Sequence, residues 1–222
     1  LFEKNDGLDR YKKILKDTLY TYNDIKLLDE ALIKNKYGIN NHVGFLFNAG
    51  GWIKPKAFCR KLIADKKINN FFDSTLKSVK KNKSCWEITT ETGQKITASN
   101  IIFCNASDIR NYSFFHELSH ESFRGQVDWF EDKSVTQQEI LSNDGYMIPS
   151  VGEKIIFGST YQKNGTSFDP SHLDSVSNKR KLNKLAPGLI KNDKDTSTKS
   201  WVGQRAASFD KKPYVGRVLK ER

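Results

Sequence analysis

Residues 116–120 read His-Glu-Leu-Ser-His, two imidazoles four positions apart with a carboxylate beside the first. On an α-helix that spacing sets both rings on one face, where they could hold zinc, and the Glu could serve as general base. A zinc protease also needs a long helix under the motif, a third ligand and a cleft closed to water. Here the helical window extends only from about Ser113 to Ser122, before Gly125 opens a strand-like run. Glu121 puts a charge directly after His120, the one downstream histidine is His172, and Glu153 is a poor third ligand. Residues 116–120 are therefore expected to connect two elements and to hold no metal.

The elements around them can be read from periodicity and punctuation. Asp9 to Asn23 has apolar residues at helical spacing, and Asp24 to Lys34 suggests a second short helix closed by Gly38. Val43 to Phe47 is a short apolar strand running into the Gly50–Gly51 turn. Pro55 then opens a helix in which it occupies the first turn. Strands follow through residues 68–104, with Thr90 to Gln94 as a hairpin turn and Ile101 to Cys104 as a strand buried on both faces. Beyond residue 120, four strand candidates separated by turn residues point to an antiparallel sheet. A basic helix from Ser171 to Leu185 and a last strand, Thr198 to Ser208, complete the order. The fold class expected is α/β plus α+β in two interleaved lobes.

Composition bounds the function. The chain has 222 residues, enough for a buried core, and is 37% hydrophobic, which argues against disorder. No run of about 18 apolar residues occurs, so no membrane span is expected. Cys59, Cys85 and Cys104 are an odd, widely spaced set with no secretory segment, so buried thiols in a reduced compartment, the cytoplasm, are expected. A net charge of +11 favours a polyanionic partner, nucleic acid above all, although a Lys-rich solvated surface has the same composition. The basic clusters lie at Lys77, Lys80, Lys81 and Lys83 and from Lys179 to Lys191.

Three stretches carry a resemblance. GGWIKPKAFCRKLI (50–63), RGQVDWF (124–130) with DGYMIPSVGEKIIFGSTY (144–161), and GQRAASFDKKPYVGRV (203–218) occur in an order that resembles the D-amino-acid-oxidase-like FAD-dependent oxidoreductases. Within that family the chain resembles the oxidase module of the bifunctional enzymes that modify the tRNA wobble uridine. The resemblance implies an FAD-binding, Rossmann-like lobe interleaved with an antiparallel-sheet substrate lobe. Residues 1–47 and 124–200 would form the substrate lobe, and 48–123 and 201–222 the FAD lobe. The cofactor implied is FAD, and the partners implied are tRNA and a fused methyltransferase module. The reaction implied is removal of the carboxymethyl arm from carboxymethylaminomethyluridine. A small-molecule amine or amino-acid oxidase and a non-catalytic RNA-binding remnant are the alternatives.

The resemblance also implies site residues. Arg205 matches the arginine that holds the substrate carboxylate, and its guanidinium fork suits that geometry; an ion pair with Asp210 is the competing use. Tyr146 matches a tyrosine facing the substrate, or is a half-buried strand aromatic. Gly50, Gly51 and Trp52 match the turn near the flavin ring, and Gln126 matches a residue beside it. Leu76 matches a backbone contact on the adenine side. Asn105 and Ala106 match the end of a strand beside the cofactor, where the family usually has Gly at the position of Ala106. Gly203 and Gly216 match the flanks of the last flavin-facing segment. No G-x-G-x-x-G motif, the usual pyrophosphate cradle, occurs in these residues, so the FAD lobe is expected to be incomplete here, with the cradle preceding Leu1.

Overall fold

The computed structural model describes residues 1–40, 42–116, 118, 120–133, 139–149, 154–187 and 197–217. They fall into two compact units, Leu1–Trp52 with Leu118–Arg222, and Ile53–Glu117.

The first unit begins with β1 (Phe2–Glu3), α1 (Lys4–Asp17), β2 (Ile25–Leu28), α2 (Glu30–Tyr37) and β3 (His42–Phe47), the strands forming an antiparallel sheet in the order β1-β3-β2. Residues 24–34, expected to be one helix, divide at Asp29. Leu27 and Leu28 pair with β3, and the Asp29 side chain then caps α2 by accepting from the Leu32 amide at 2.8 Å. A carboxylate that satisfies an otherwise unpaired helix-start amide fixes the boundary better than apolar spacing does. Gly38 ends α2 at φ 69°, as expected of a left-handed cap. Tyr11 of α1 is buried against Phe45 and donates its hydroxyl to the Ile25 carbonyl.

The larger sheet of this unit contains β7 (His120–Glu131), β8 (Leu141–Ser142), β9 (Tyr146–Ile148), β10 (Lys154–Gly158), β11 (Gln162–Lys163) and β12 (Lys199–Ser208). Its order is β11-β7-β10-β9-β8, with β12 on β7. β12 pairs with β7 along its whole length, from Lys199 opposite Trp129 to Ser208 opposite His120, across the 200/201 boundary of the expected lobes. Side chains alternate across a strand, and residues directly opposite one another share a face. One face therefore carries Arg124, Gln126, Asp128, Phe130, Met147, Ile155 and Phe157. It is covered by α4 (His172–Leu185), whose Leu182 and Leu185 join the core.

A buried polar cluster joins α4 to this face. The Asp128 carboxyl, 0% exposed, accepts from Gln126 Nε2 (3.0 Å), Ser175 Oγ (3.1 Å), Asn178 Nδ2 (2.7 Å) and Ser200 Oγ. Arg124, also buried, pairs with Asp174 at 2.5 Å and donates to the carbonyls of Ser167 and Asp169. Burying polar groups is tolerated where partners are found, and within this cluster Asn178 Oδ1 has none among the described residues.

The second unit holds α3 (Pro55–Leu62) and the antiparallel meander β4 (Leu76–Asn82), β5 (Cys85–Thr90) and β6 (Lys95–Ala98). The expected hairpin turn forms with Gly93 at φ 84° and the Gly93 amide donating to the Thr90 carbonyl. Residues 101–104 are not the expected doubly buried strand. Ile102 is 87% exposed, and Phe103 instead packs among the rings of Tyr112, Phe114 and Phe115. An apolar run becomes a strand only where a neighbouring strand supplies its hydrogen bonds, and none does among the described residues. The cysteines also differ from expectation: Cys59 and Cys104 are exposed and Cys85 is half-buried. Among the described residues no helix is long and apolar enough to cross a membrane.

Candidate functional site

Among the described residues, the face of the larger sheet opposite α4 is the less buried one, with Trp201 and Arg205 exposed and Val127, Trp129 and Tyr146 half-buried. By register, Tyr146 lies opposite Gly158, Gly158 opposite Val127, and Val127 opposite Trp201; Gly125 lies opposite Gly203 and Phe123 opposite Arg205. Trp201, Gly203 and Arg205 thus follow one another along one side of β12, and Tyr146 stands on the same face three strands away. Phe123 stacks on Tyr161 with ring centroids 4.2 Å apart, closing the Arg205 end of the face with apolar rings.

Arg205 is exposed and makes no ion pair among the described residues. Asp210 does not hold it. That carboxyl accepts from the Lys212 amide and the Ser208 hydroxyl, and these bonds keep its pKa below the ordinary carboxylate value. A guanidinium left free on an open, aromatic-lined face is available to an incoming carboxylate. Tyr146 is half-buried, and burial pushes its phenol above the ordinary value of 10.0 while the Arg205 charge opposes the shift.

The sign of that shift gives a prediction. Burial favours the neutral phenol, so folded and unfolded chains both keep the proton below pH 10.0, and any loss of stability from this group begins only above it. The pH profile of activity is expected to show no Tyr146 ionisation up to that pH, and Tyr146→Phe to leave the alkaline limb where it is. An alkaline limb that moves in the variant would contradict this.

The remaining candidates are placed separately. Gln126 lies on the opposite, covered face and is fully buried. Its amide donates to Asp128 and to Ser175 Oγ at 2.9 Å, and its carbonyl accepts from the Ser171 amide at 2.7 Å. With donors and acceptor so engaged, its side chain anchors the start of α4. Gly50, Gly51 and Trp52 follow β3; the Gly50 amide donates to the Phe47 carbonyl, and Gly51 has open space where a side chain would stand. Gly216 is likewise open. In the second unit, Leu76 is half-buried at the start of β4, beside a register shift. Asn105 and Ala106 are exposed, and Ala106 has φ 49°, in the left-handed region that favours glycine. That conformation accounts for a glycine preference at the position, and the Ala106 methyl is carried there at a cost of about 1 kcal/mol.

His116 and His120 do not share a helix face. His116 follows a short 3-10 turn, Ser113–Phe115, while His120 is the buried first residue of β7. Without a helix under both residues, the two imidazoles lack the shared face on which that motif holds zinc. Glu117 lies outside the described residues. Among those described, no three His, Cys, Asp or Glu side chains converge. Sequence reasoning missed Trp201, although its i+4 spacing from Arg205 on a strand places both on one face.

Comparison with known proteins agrees with this architecture. The profile of the DAO family, described as FAD dependent oxidoreductase, matches residues 1–222. A curated relative, the tRNA 5-methylaminomethyl-2-thiouridine biosynthesis bifunctional protein MnmC of Legionella pneumophila (strain Lens), is 28% identical over 197 residues, covering 86% of this chain and 28% of its own length. The chain therefore spans under a third of that relative. Among solved structures, glycine oxidase from Geobacillus kaustophilus superposes with a TM-score of 0.80 at 14% identity, covering 96% of this chain and 58% of that one. Glycine oxidase from Bacillus cereus ATCC 14579 gives 0.78 at 18% identity, with 96% and 62% covered. These two show the fold: mixed α/β with antiparallel sheets, as expected from the sequence. With the profile matched from end to end, the chain belongs to the DAO family of FAD-dependent oxidoreductases.

Proposed function

We propose that the chain is part of an FAD-dependent oxidase that removes the carboxymethyl arm from carboxymethylaminomethyluridine at the tRNA wobble position. The observation that carries this reading is the exposed Arg205 guanidinium, without an ion pair among the described residues, on the same sheet face as Tyr146, in a chain whose curated relative is named for tRNA 5-methylaminomethyl-2-thiouridine biosynthesis. Arg205 holds the carboxylate of the arm by paired N–H···O bonds, which fixes the neighbouring methylene. Tyr146, a neutral phenol, presents a hydrogen-bond donor near the substrate amine. Bound FAD would supply the two-electron oxidation of that methylene, with oxygen as the terminal acceptor. The resulting imine takes up water, its C–N bond breaks, and glyoxylate and aminomethyluridine leave; overall, one oxygen and one water are consumed and one hydrogen peroxide is formed.

In this reading residues 1–47 and 124–200 serve the substrate lobe, and 48–123 and 201–222 the FAD lobe. By the family resemblance, Gly50, Gly51, Trp52 and Gly216 in the first unit, and Leu76, Asn105 and Ala106 in the second, are candidate cofactor contacts, whereas the Gly203 backbone is covered by the Trp201 indole. The open backbone at Gly51 and Gly216 and the glycine-like conformation at Ala106 suit close approach by a large planar group. Gln126 contributes from the covered side, by holding α4.

The positive charge serves tRNA. On α4, Arg180 and Lys184 are exposed, while Lys181 is held by the Ser159 carbonyl at 2.9 Å. Residues 188–196, which continue the basic stretch, lie outside the described residues. Each phosphate neutralised adds about 0.9 to the slope of log affinity against log salt, so tRNA binding by the full-length protein is expected to weaken steeply with salt. Filter binding of tRNA between about 50 and 200 mM salt checks this, and a flat response contradicts it. The reaction itself is tested by incubating the full-length protein, FAD and undermodified tRNA and identifying the nucleosides released on digestion. Aminomethyluridine is expected in place of the carboxymethylated form; oxidation of glycine or N-ethylglycine with the tRNA untouched would favour the small-molecule alternative.

A further inference from the structure

Trp201 is 63% exposed, unusual for so large an apolar ring. It makes no ring contact or hydrogen bond among the described residues. Its posture is explained by Gly203. A Cβ added there would lie 2.4 Å from Trp201 Cη2, 2.8 Å from Cζ3 and 3.1 Å from Cζ2. The six-membered half of the indole therefore lies down along β12, over the bare Gly203 backbone, toward Arg205. One face of the ring rests on the strand and the other is left open.

Resting on the function proposed above, we propose that the indole of Trp201 is the shelf on which the pyrimidine ring of the modified uridine stacks while Arg205 holds its carboxylate. The spacing agrees. Gly203 and Arg205 are two residues apart, about 7 Å along a strand. In the substrate, four bonds join uracil C5 to the carboxylate carbon, about 5 Å when extended, and the ring's own width extends that reach. A flat π-face for the base and a cation for the acid thus lie at the separation the substrate presents. A small amino acid would use Arg205 alone and leave the indole idle. Trp201 would then be a specificity-determining residue that selects amines bearing a base. Gly203 would be its positioning residue, because a methyl there pushes the ring off the strand.

The test uses the full-length holoenzyme and two substrates, tRNA carrying carboxymethylaminomethyluridine and N-ethylglycine, which keeps the secondary amine and the carboxymethyl arm but has no ring. Stacking of a base on an aromatic side chain is sequence-tolerant and worth a factor of about 10 or more on truncation. Trp201→Leu is expected to lower the ratio of kcat/KM for tRNA to that for N-ethylglycine about tenfold, mainly through KM. Trp201→Phe should restore most of it, and Gly203→Ala should reproduce the loss with the indole still present. Independently of turnover, the modified nucleoside added without oxygen should quench tryptophan fluorescence in the wild type, and the quench should be lost in Trp201→Phe. An unchanged ratio in Trp201→Leu, or an equal fall for both substrates, overturns the stacking role and leaves the proposed reaction standing. A wild-type enzyme that oxidises N-ethylglycine but not the tRNA, or neither, overturns both.

Discussion

Arg205→Ala is expected to lower kcat/KM of the full-length enzyme for modified tRNA by about a hundredfold to a thousandfold. The reason is the pairing of two formal charges in fork geometry. Truncating one partner of such a pair, away from bulk water, costs about 2–5 kcal/mol, and each 1.4 kcal/mol is a factor of ten. Arg205→Lys keeps the charge but not the fork, and is expected to recover only part of the loss. Arg205 is exposed and free of ion pairs among the described residues, so neither variant should shift the melting temperature appreciably. That combination separates substrate binding from folding. Steady-state kinetics beside a thermal melt reads both, and a kcat/KM within about threefold of wild type would remove Arg205 from the substrate site.

Asp128→Ala is expected to cost the fold about 3–5 kcal/mol, enough to threaten a protein of ordinary stability. Four donors, from Gln126, Ser175, Asn178 and Ser200, converge on a carboxyl with no solvent exposure. Removing it leaves buried donors without acceptors, each at a cost of about 1–3 kcal/mol before local rearrangement, and also leaves a small cavity. The loss falls at the joint between α4 and the β7–β12 pair, the strands that carry Arg205 and Trp201 on their other face. Chemical denaturation monitored by circular dichroism should show the shift in midpoint. Ser200→Ala, which removes one donor and leaves the carboxyl three, should lose far less. An Asp128→Ala midpoint close to wild type would show that the cluster is dispensable.

Much of this arrangement was legible in the residues. Alternation from Phe123 to Trp129 announces a two-faced strand, although the side it marks as polar, with Arg124, Gln126 and Asp128, is the one α4 covers. The spacing of Leu182 and Leu185 on a basic helix announces the element that covers one side, and the last strand, from Lys199, was visible from its β-forming run. Three things were not legible, each for a local reason. Residues 24–34 satisfy helical spacing, yet a single capping carboxylate at Asp29 starts the helix later and frees Ile25–Leu28 for pairing. Residues 101–104 have the composition of a core strand, but a ring cluster around Phe103 supplies the burial without a ladder. Gln126 is the instructive case among site residues. A shift of one position moves a side chain to the opposite face, so its neighbours Gly125 and Val127 look onto the open face while Gln126 is locked beneath α4. The same rule would have drawn Trp201 into the site, since it stands four residues from Arg205 on the same strand.

The most direct test of the central claim is an anaerobic titration of the full-length, FAD-loaded protein with tRNA carrying carboxymethylaminomethyluridine, followed by the flavin's visible absorbance. Bleaching of the oxidised flavin band is expected in proportion to the tRNA added, with one glyoxylate released per flavin reduced, and loss of both in Arg205→Ala. A flavin that stays oxidised with saturating modified tRNA, yet is bleached by glycine or N-ethylglycine, would contradict it.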